Sequence, residues 1–223
     1  MNRKKFLKKG VFGFGAIIAI PMVMTSCSKD KDMDLTAGED CMLSPVETEG
    51  PYPTMTPSQL VQSSIIGDRT GVALLMTMTV QDKNNDCAAL SDVFVDVWHC
   101  DKDGNYSQYG SNSSEEYLRG RQTTDANGQV SFISIFPGWY TGRAPHIHVE
   151  VLDSNENSLL VSQIAFPVAT YTEVYNSAAY SGAPDTSNTQ DGIFADSLEQ
   201  NMANSITGNI TDGYTLVKTL VVV

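Results

Sequence analysis

Two of the three histidines in this chain, a tyrosine and an arginine fall within twelve residues, Pro137-Gly138-Trp139-Tyr140-Thr141-Gly142-Arg143-Ala144-Pro145-His146-Ile147-His148. That composition reads as a metal site. His146 and His148 are two apart in an extended run, so both rings project from one face of a strand and can reach one ion. Histidines on half-buried strands also serve as hydrogen-bonded structure, so the pair alone is a weak sign and its neighbours decide. No acidic residue lies between the histidines or just beside them, which weakens a ferrous site of two histidines and one carboxylate. No two cysteines stand at close spacing, which weakens structural zinc. Tyr140 is the remaining donor, and its phenolate is a hard anionic oxygen.

These residues need strands to hold them. Residues 130–136 alternate as a strand, Pro137-Gly138 ends it, and residues 146–152 form the next extended run. Residues 71–81 are apolar and β-branched and predict the first core strand, with a turn at 82–86. In residues 93–99, Val93, Val95 and Val97 alternate with Phe94, Asp96 and Trp98. His99 therefore faces away from Trp98 and is assigned a structural role. Asp125-Ala126-Asn127-Gly128, between residues 122–124 and 129–136, signals a hairpin. Residues 159–166 predict a strand stopped by Pro167, residues 171–179 a short helix, and residues 214–223 a final strand. Pro51 and Pro53 exclude a helix interior or central strand, so residues 41–57 are expected to be an ordered arm laid over the domain. Short strands at turn-marked spacing with little helix predict an all-β, two-sheet β-sandwich.

The 223 residues, 41% hydrophobic and 18% charged, suit one globular domain. Arg3, Lys4, Lys5, Lys8 and Lys9 precede a short apolar run with no acid among them, the pattern of a secretory signal over residues 1–26. Without that segment the chain carries 9 basic against 26 acidic residues, a net charge of −17, which makes nucleic acid a poor partner. Met24-Thr25-Ser26-Cys27 resembles the bacterial lipoprotein cleavage box, which implies lipidation of Cys27 and membrane tethering. Residues 28–39 are polar, so residues 27–40 are expected to be a flexible tether and residues 41–223 the folded domain. The segment around Arg3 resembles a twin-arginine export signal, with Lys4 in place of the second arginine, so the export route is open. Cys41, Cys87 and Cys100 allow three pairings for one disulfide in an exported protein.

Residues 137–148, with Trp98-His99-Cys100-Asp101-Lys102-Asp103-Gly104-Asn105-Tyr106-Ser107 and Leu118-Arg119-Gly120-Arg121-Gln122-Thr123-Thr124-Asp125-Ala126-Asn127-Gly128, keep the order and spacing of a known family. Over about residues 43–223 the chain resembles the intradiol ring-cleavage dioxygenases, the family of catechol and protocatechuate dioxygenases. The resemblance implies a mononuclear non-haem Fe(III) ion held by Tyr106, Tyr140, His146 and His148. It implies that O2 and a catechol-type small molecule are the substrates and a muconate-type diacid the product. Arg143 is implied to stabilise charge developing on the ring, and Gln163 to stand near the dioxygen pocket. Tyr52, in Thr48-Glu49-Gly50-Pro51-Tyr52, matches an arm that approaches substrate in relatives. Trp98 is either a pocket wall or a core residue. Tyr109 and Tyr117 rival Tyr106 as the first ligand, and only the spacing from Trp98 selects Tyr106.

The helical N-terminal dimerisation region of the catechol-type enzymes is lacking, which leaves a homo-oligomer open. An export signal is the other departure, because well-known members act in the cytoplasm. Two alternative readings stand beside the dioxygenase: a lipid-anchored sandwich binding catechol-bearing ligands without turnover, and an enzyme using copper or zinc at the same residues.

Overall fold

The computed structural model describes residues 41–223 apart from Ala178 and Ser181. The expected signal segment, Cys27 and the tether lie outside the described residues. The strands are β1 (Ala73–Asp82), β2 (Ala88–Ala89), β3 (Phe94–Trp98), β4 (Arg119–Thr123), β5 (Gln129–Ile135), β6 (His146–Leu152), β7 (Ser158–Ala165), β8 (Ser205–Asn209) and β9 (Gly213–Val222). Two short helices join them, α1 (Val168–Tyr175) and α2 (Leu198–Asn201). One sheet runs β2-β1-β9-β8 with β5 also paired to β1, and the other runs β4-β3-β6-β7. All pairings are antiparallel except β1 with β9. The all-β sandwich expected from the alternation is the fold observed.

Alternation explains which face goes inward. Leu74, Met76, Met78 and Val80 of β1 meet Val95 and Val97 of β3 and Ile147, Val149 and Val151 of β6 in one buried core between the sheets. Fully burying side chains of this size contributes about 1.5–3 kcal/mol each, and this burial sets the strand registers. The short helix begins three residues before the expected position, at Val168, because Pro167 supplies an extended residue that ends β7 and opens the helix. Strand β8 was not foreseen: Ser-Ile-Thr-Gly-Asn is a polar, exposed edge with no apolar face to read.

Inward-facing valines on β3 leave the alternate residues on the outer face of the four-stranded sheet. Trp98 pairs with Arg119 on one side and His148 on the other. His148 in turn pairs with Gln163. Directly paired residues share a face, so Arg119, Trp98, His148 and Gln163 form one row across four strands. The 41–57 arm crosses that row. Gln163 Nε2 donates to the Thr48 carbonyl at 2.8 Å, and Arg119 Nη1 donates to the Tyr52 carbonyl at 2.9 Å. Between them, a Cβ on Gly50 would lie 3.0 Å from His148 Cε1, and Gly50 has φ +70°. Glycine is required there both for the left-handed backbone and for the close approach. A disulfide between Cys41 and Cys87 ties the start of the arm to the turn after β1, and Cys100 is left as a buried thiol.

Candidate metal centre

His146 and His148 project together from the outer face of β6, as the two-residue spacing predicts, and their Nε2 atoms lie 3.1 Å apart. Tyr140 stands on the turn that leads into β6, with Oη 3.3 Å from His146 Nε2. Tyr106, which follows the turn after β3, brings its Oη to 3.5 Å from the same nitrogen. Four donor atoms from two segments of chain thus converge on one point. Tyr109 and Tyr117 go elsewhere: the Tyr109 hydroxyl donates to the Pro53 carbonyl at 2.7 Å, and Tyr117 lies under the Arg69 guanidinium. Tyr52 stacks on the Tyr106 ring at 4.8 Å between centroids, and Trp98 lies flat against His148 at 5.0 Å. His99 points the other way and bonds Ser134 Oγ at 2.7 Å and the Cys100 carbonyl at 2.8 Å.

The electrostatics suit a cation. His146 Nδ1 is 2.6 Å from the Ala144 carbonyl, which only a protonated Nδ1 can satisfy, so Nε2 presents its lone pair to the cluster. Burial pushes the His146 pKa down to about 3, with the Arg143 charge adding to the effect, and burial holds His148 well below the ordinary range. Both imidazoles are therefore neutral at physiological pH and free to act as donors. Burial raises the Tyr106 phenol well above its usual value and raises that of Tyr140 as well. Both would give up their protons only to a strong Lewis acid. Two phenolates with two neutral imidazoles form a hard, twice-negative donor set, which fits a ferric ion better than a soft or divalent one.

Arg143 lies beside the cluster, with Nη1 3.5 Å from His146 Nε2. Its Nη2 donates to Gln163 Oε1 at 2.5 Å, and its Nε pairs with Asp191 at 2.9 Å. Every domain residue singled out for the site in the sequence lies in or against this group; Cys27 is outside the described residues. Three participants escaped sequence reasoning: Asp191, Gly50 and Arg119. Arg119 is fully buried and donates to the Ser107 hydroxyl and carbonyl as well as to the arm. Its place within residues 118–128, one of the motif segments, was the available signal. Gly50 likewise lies inside a matched segment, residues 48–52, whereas Asp191 sits in a loop without a periodic pattern.

Fold and centre together define a class: a two-sheet β-sandwich that gathers a mixed histidine and tyrosine donor set on the outer face of one sheet. Comparisons with known proteins make the class specific. The dioxygenase family profile matches residues 48–205. A chlorocatechol 1,2-dioxygenase of Rhodococcus opacus is 26% identical, over 45% of this chain and 54% of that one, so the chain spans about half the length of that relative. The structure is similar to an intradiol ring-cleavage dioxygenase from Tetranychus urticae, at 30% identity and TM-score 0.72, covering 82% of this chain and 95% of the other. It is also similar to the dioxygenase domain of a carbohydrate-binding fusion protein from Streptomyces sp. SirexAA-E, at 26% identity and TM-score 0.61, covering 81% and 98%. The chain belongs to the intradiol ring-cleavage dioxygenase family.

Proposed function

We propose that this protein opens catechol-type rings between the two hydroxylated carbons, using O2 and a ferric ion held by Tyr106, Tyr140, His146 and His148, to give muconate-type diacids. The approach of both phenol oxygens and the His148 Nε2 atom to within 3.1 to 3.5 Å of His146 Nε2 is the observation that carries this reading. Family membership and the chlorocatechol-cleaving relative support it at the level of catechol ring cleavage. When bound by these four residues, a ferric ion would supply Lewis acidity to a catechol at this point.

The chain's own residues supply the rest. Ala144 holds the His146 proton on Nδ1. Tyr106, 5% exposed and pinned by the Tyr52 ring, is a fixed donor, whereas Tyr140 is half-buried and is the phenol with room to move. Tyr140 Oη is accordingly the acceptor for a substrate hydroxyl proton. The Arg143 Nη1 edge faces the same point and stabilises negative charge that develops on the ring and its oxygens. The wall of Trp98, Tyr52 and Tyr106 excludes water from one side of the centre.

We also propose that the domain works outside the cytoplasm, exported by residues 1–26 and tethered through a lipid on Cys27. The Cys41–Cys87 disulfide supports that placement, since such bonds persist in oxidising compartments.

A visible absorption spectrum of the iron-loaded protein, before and after anaerobic catechol, tests the function. A broad band that shifts with catechol, followed by oxygen uptake on admitting air, is expected. A shifted band without oxygen uptake would favour a catechol-binding protein, and a protein that stays colourless with ferric iron would sink the dioxygenase reading and favour the binding one.

A further inference from the structure

Asp191 is fully buried, on a loop 48 residues beyond Arg143, and its carboxylate accepts hydrogen bonds from three N–H groups. Arg143 Nε approaches both oxygens, at 2.9 and 3.1 Å. The Ala144 amide donates to Oδ2 at 2.7 Å and the Ile193 amide to Oδ1 at 2.9 Å. The loop itself is anchored. Asn188 Nδ2 donates to the Phe166 carbonyl at 2.8 Å, the Asp191 amide donates to the Ser187 carbonyl at 3.0 Å, and Asp185 accepts from the Gly142 amide at 3.1 Å. One carboxylate thereby grips both the side chain of Arg143 and the backbone of the next residue, two positions before the first histidine.

The grip decides where the guanidinium points. Arg143 has five N–H donors in a rigid plane. Asp191 takes the Nε edge and Gln163 takes one Nη2 proton, which leaves the Nη1 edge facing His146 Nε2. An arginine without these two partners has free torsions along its whole stem, and a charge that must be placed to within about 0.5 Å would be spread over several rotamers. We propose that Asp191 is a positioning residue of this centre: it locks the Arg143 plane so that Nη1 is already aimed at the place where charge develops during ring opening. This inference rests on the proposed function for its catalytic consequence, while the orientation of Arg143 stands on geometry alone.

The test has two arms. In the metal-free protein, an arginine-selective dicarbonyl is expected to label Arg143 slowly in the wild type and faster in Asp191→Asn, with Arg69 as an internal reference. Labelling of wild-type Arg143 as fast as Arg69 would overturn the proposal without any variant being needed. In the iron-loaded protein, Asp191→Asn is expected to lower kcat for catechol about 10- to 100-fold, the worth of a charged hydrogen bond, and to leave KM nearly unchanged. In an Arg143→Gln background the same substitution should have less than about a twofold effect, because the two residues act as one unit. A full, multiplicative loss in that background would mean that Asp191 acts on stability and not through Arg143. If the wild type turns over no catechol at all, the functional reading falls, and the labelling arm still decides whether Asp191 orients Arg143.

Discussion

Tyr106 and Tyr140 offer the same atom to the same point but are held differently, and the difference assigns them separate tasks. Tyr106 is buried between Tyr52 and the sheet, so Tyr106→Phe should lose iron, read as metal equivalents retained after dialysis against a chelator. Tyr140 is only half-buried, and Tyr140→Phe should keep most of its iron while losing about 10²-fold in turnover as a proton acceptor disappears. Equal iron loss in both variants would remove the distinction. Gly50 is a second residue whose identity matters. Its φ of +70° and the 3.0 Å gap to His148 mean that Gly50→Ala costs about 1 kcal/mol in backbone strain and also presses on a ligand ring. The expected result is a lower melting temperature together with weaker iron retention; a variant with both unchanged would show that the arm yields freely there.

At the scale of elements, the centre is a joint between one sheet and one arm. The row Arg119, Trp98, His148, Gln163 comes from strand pairing, and the arm binds both ends of it through Thr48 and Tyr52. Further back the arm is clamped by the Ser44 amide on the Val221 carbonyl and by the Cys41–Cys87 bridge. That bridge spans a sequence separation of 46, for which loop-closure entropy predicts a contribution of about 2–4 kcal/mol. Cys41→Ser with Cys87→Ser should therefore lower the unfolding free energy read from a urea titration by that amount, and the midpoint with it. Because the arm reaches the site through Gly50 and Tyr52, catechol affinity should weaken too. Full retention of the urea midpoint would show that hydrogen bonds alone hold the arm.

For the whole molecule, three buried histidines make the metal-free domain sensitive to acid. Burial pushes His99 down to about 4 from an ordinary 6.5, and His146 and His148 move in the same direction. The unfolded chain binds these protons first, so stability is fully present above pH 6.5 and is lost progressively as pH falls toward the folded values. His99 alone accounts for about 2 kcal/mol at pH 5, a large part of the 5–15 kcal/mol typical of a domain. Denaturant titrations of the metal-free protein at pH 7 and pH 5 should show that fall, and His99→Gln should make it smaller. A flat profile between these values would contradict the burial argument.

Much of this was legible in the chain itself. Alternation along residues 93–99 and 146–152 put His99 opposite Trp98 and put His146 and His148 on one shared face, because side-chain direction in a strand has a period of two whatever surrounds it; which of those faces is the core was left to the packing. Turn chemistry at Pro137-Gly138 and at Asp125-Ala126-Asn127-Gly128 ended the strands where they end, because backbone torsions are set locally. Only the tertiary structure decided that Cys41 pairs with Cys87, that Gly50 lies against His148, that Asp191 grips Arg143 and that the Tyr109 hydroxyl turns to Pro53. Those contacts join residues 46 to 98 positions apart. Local period and turn type do not encode them; they follow from which strands neighbour which, and that order is settled by how the whole core packs.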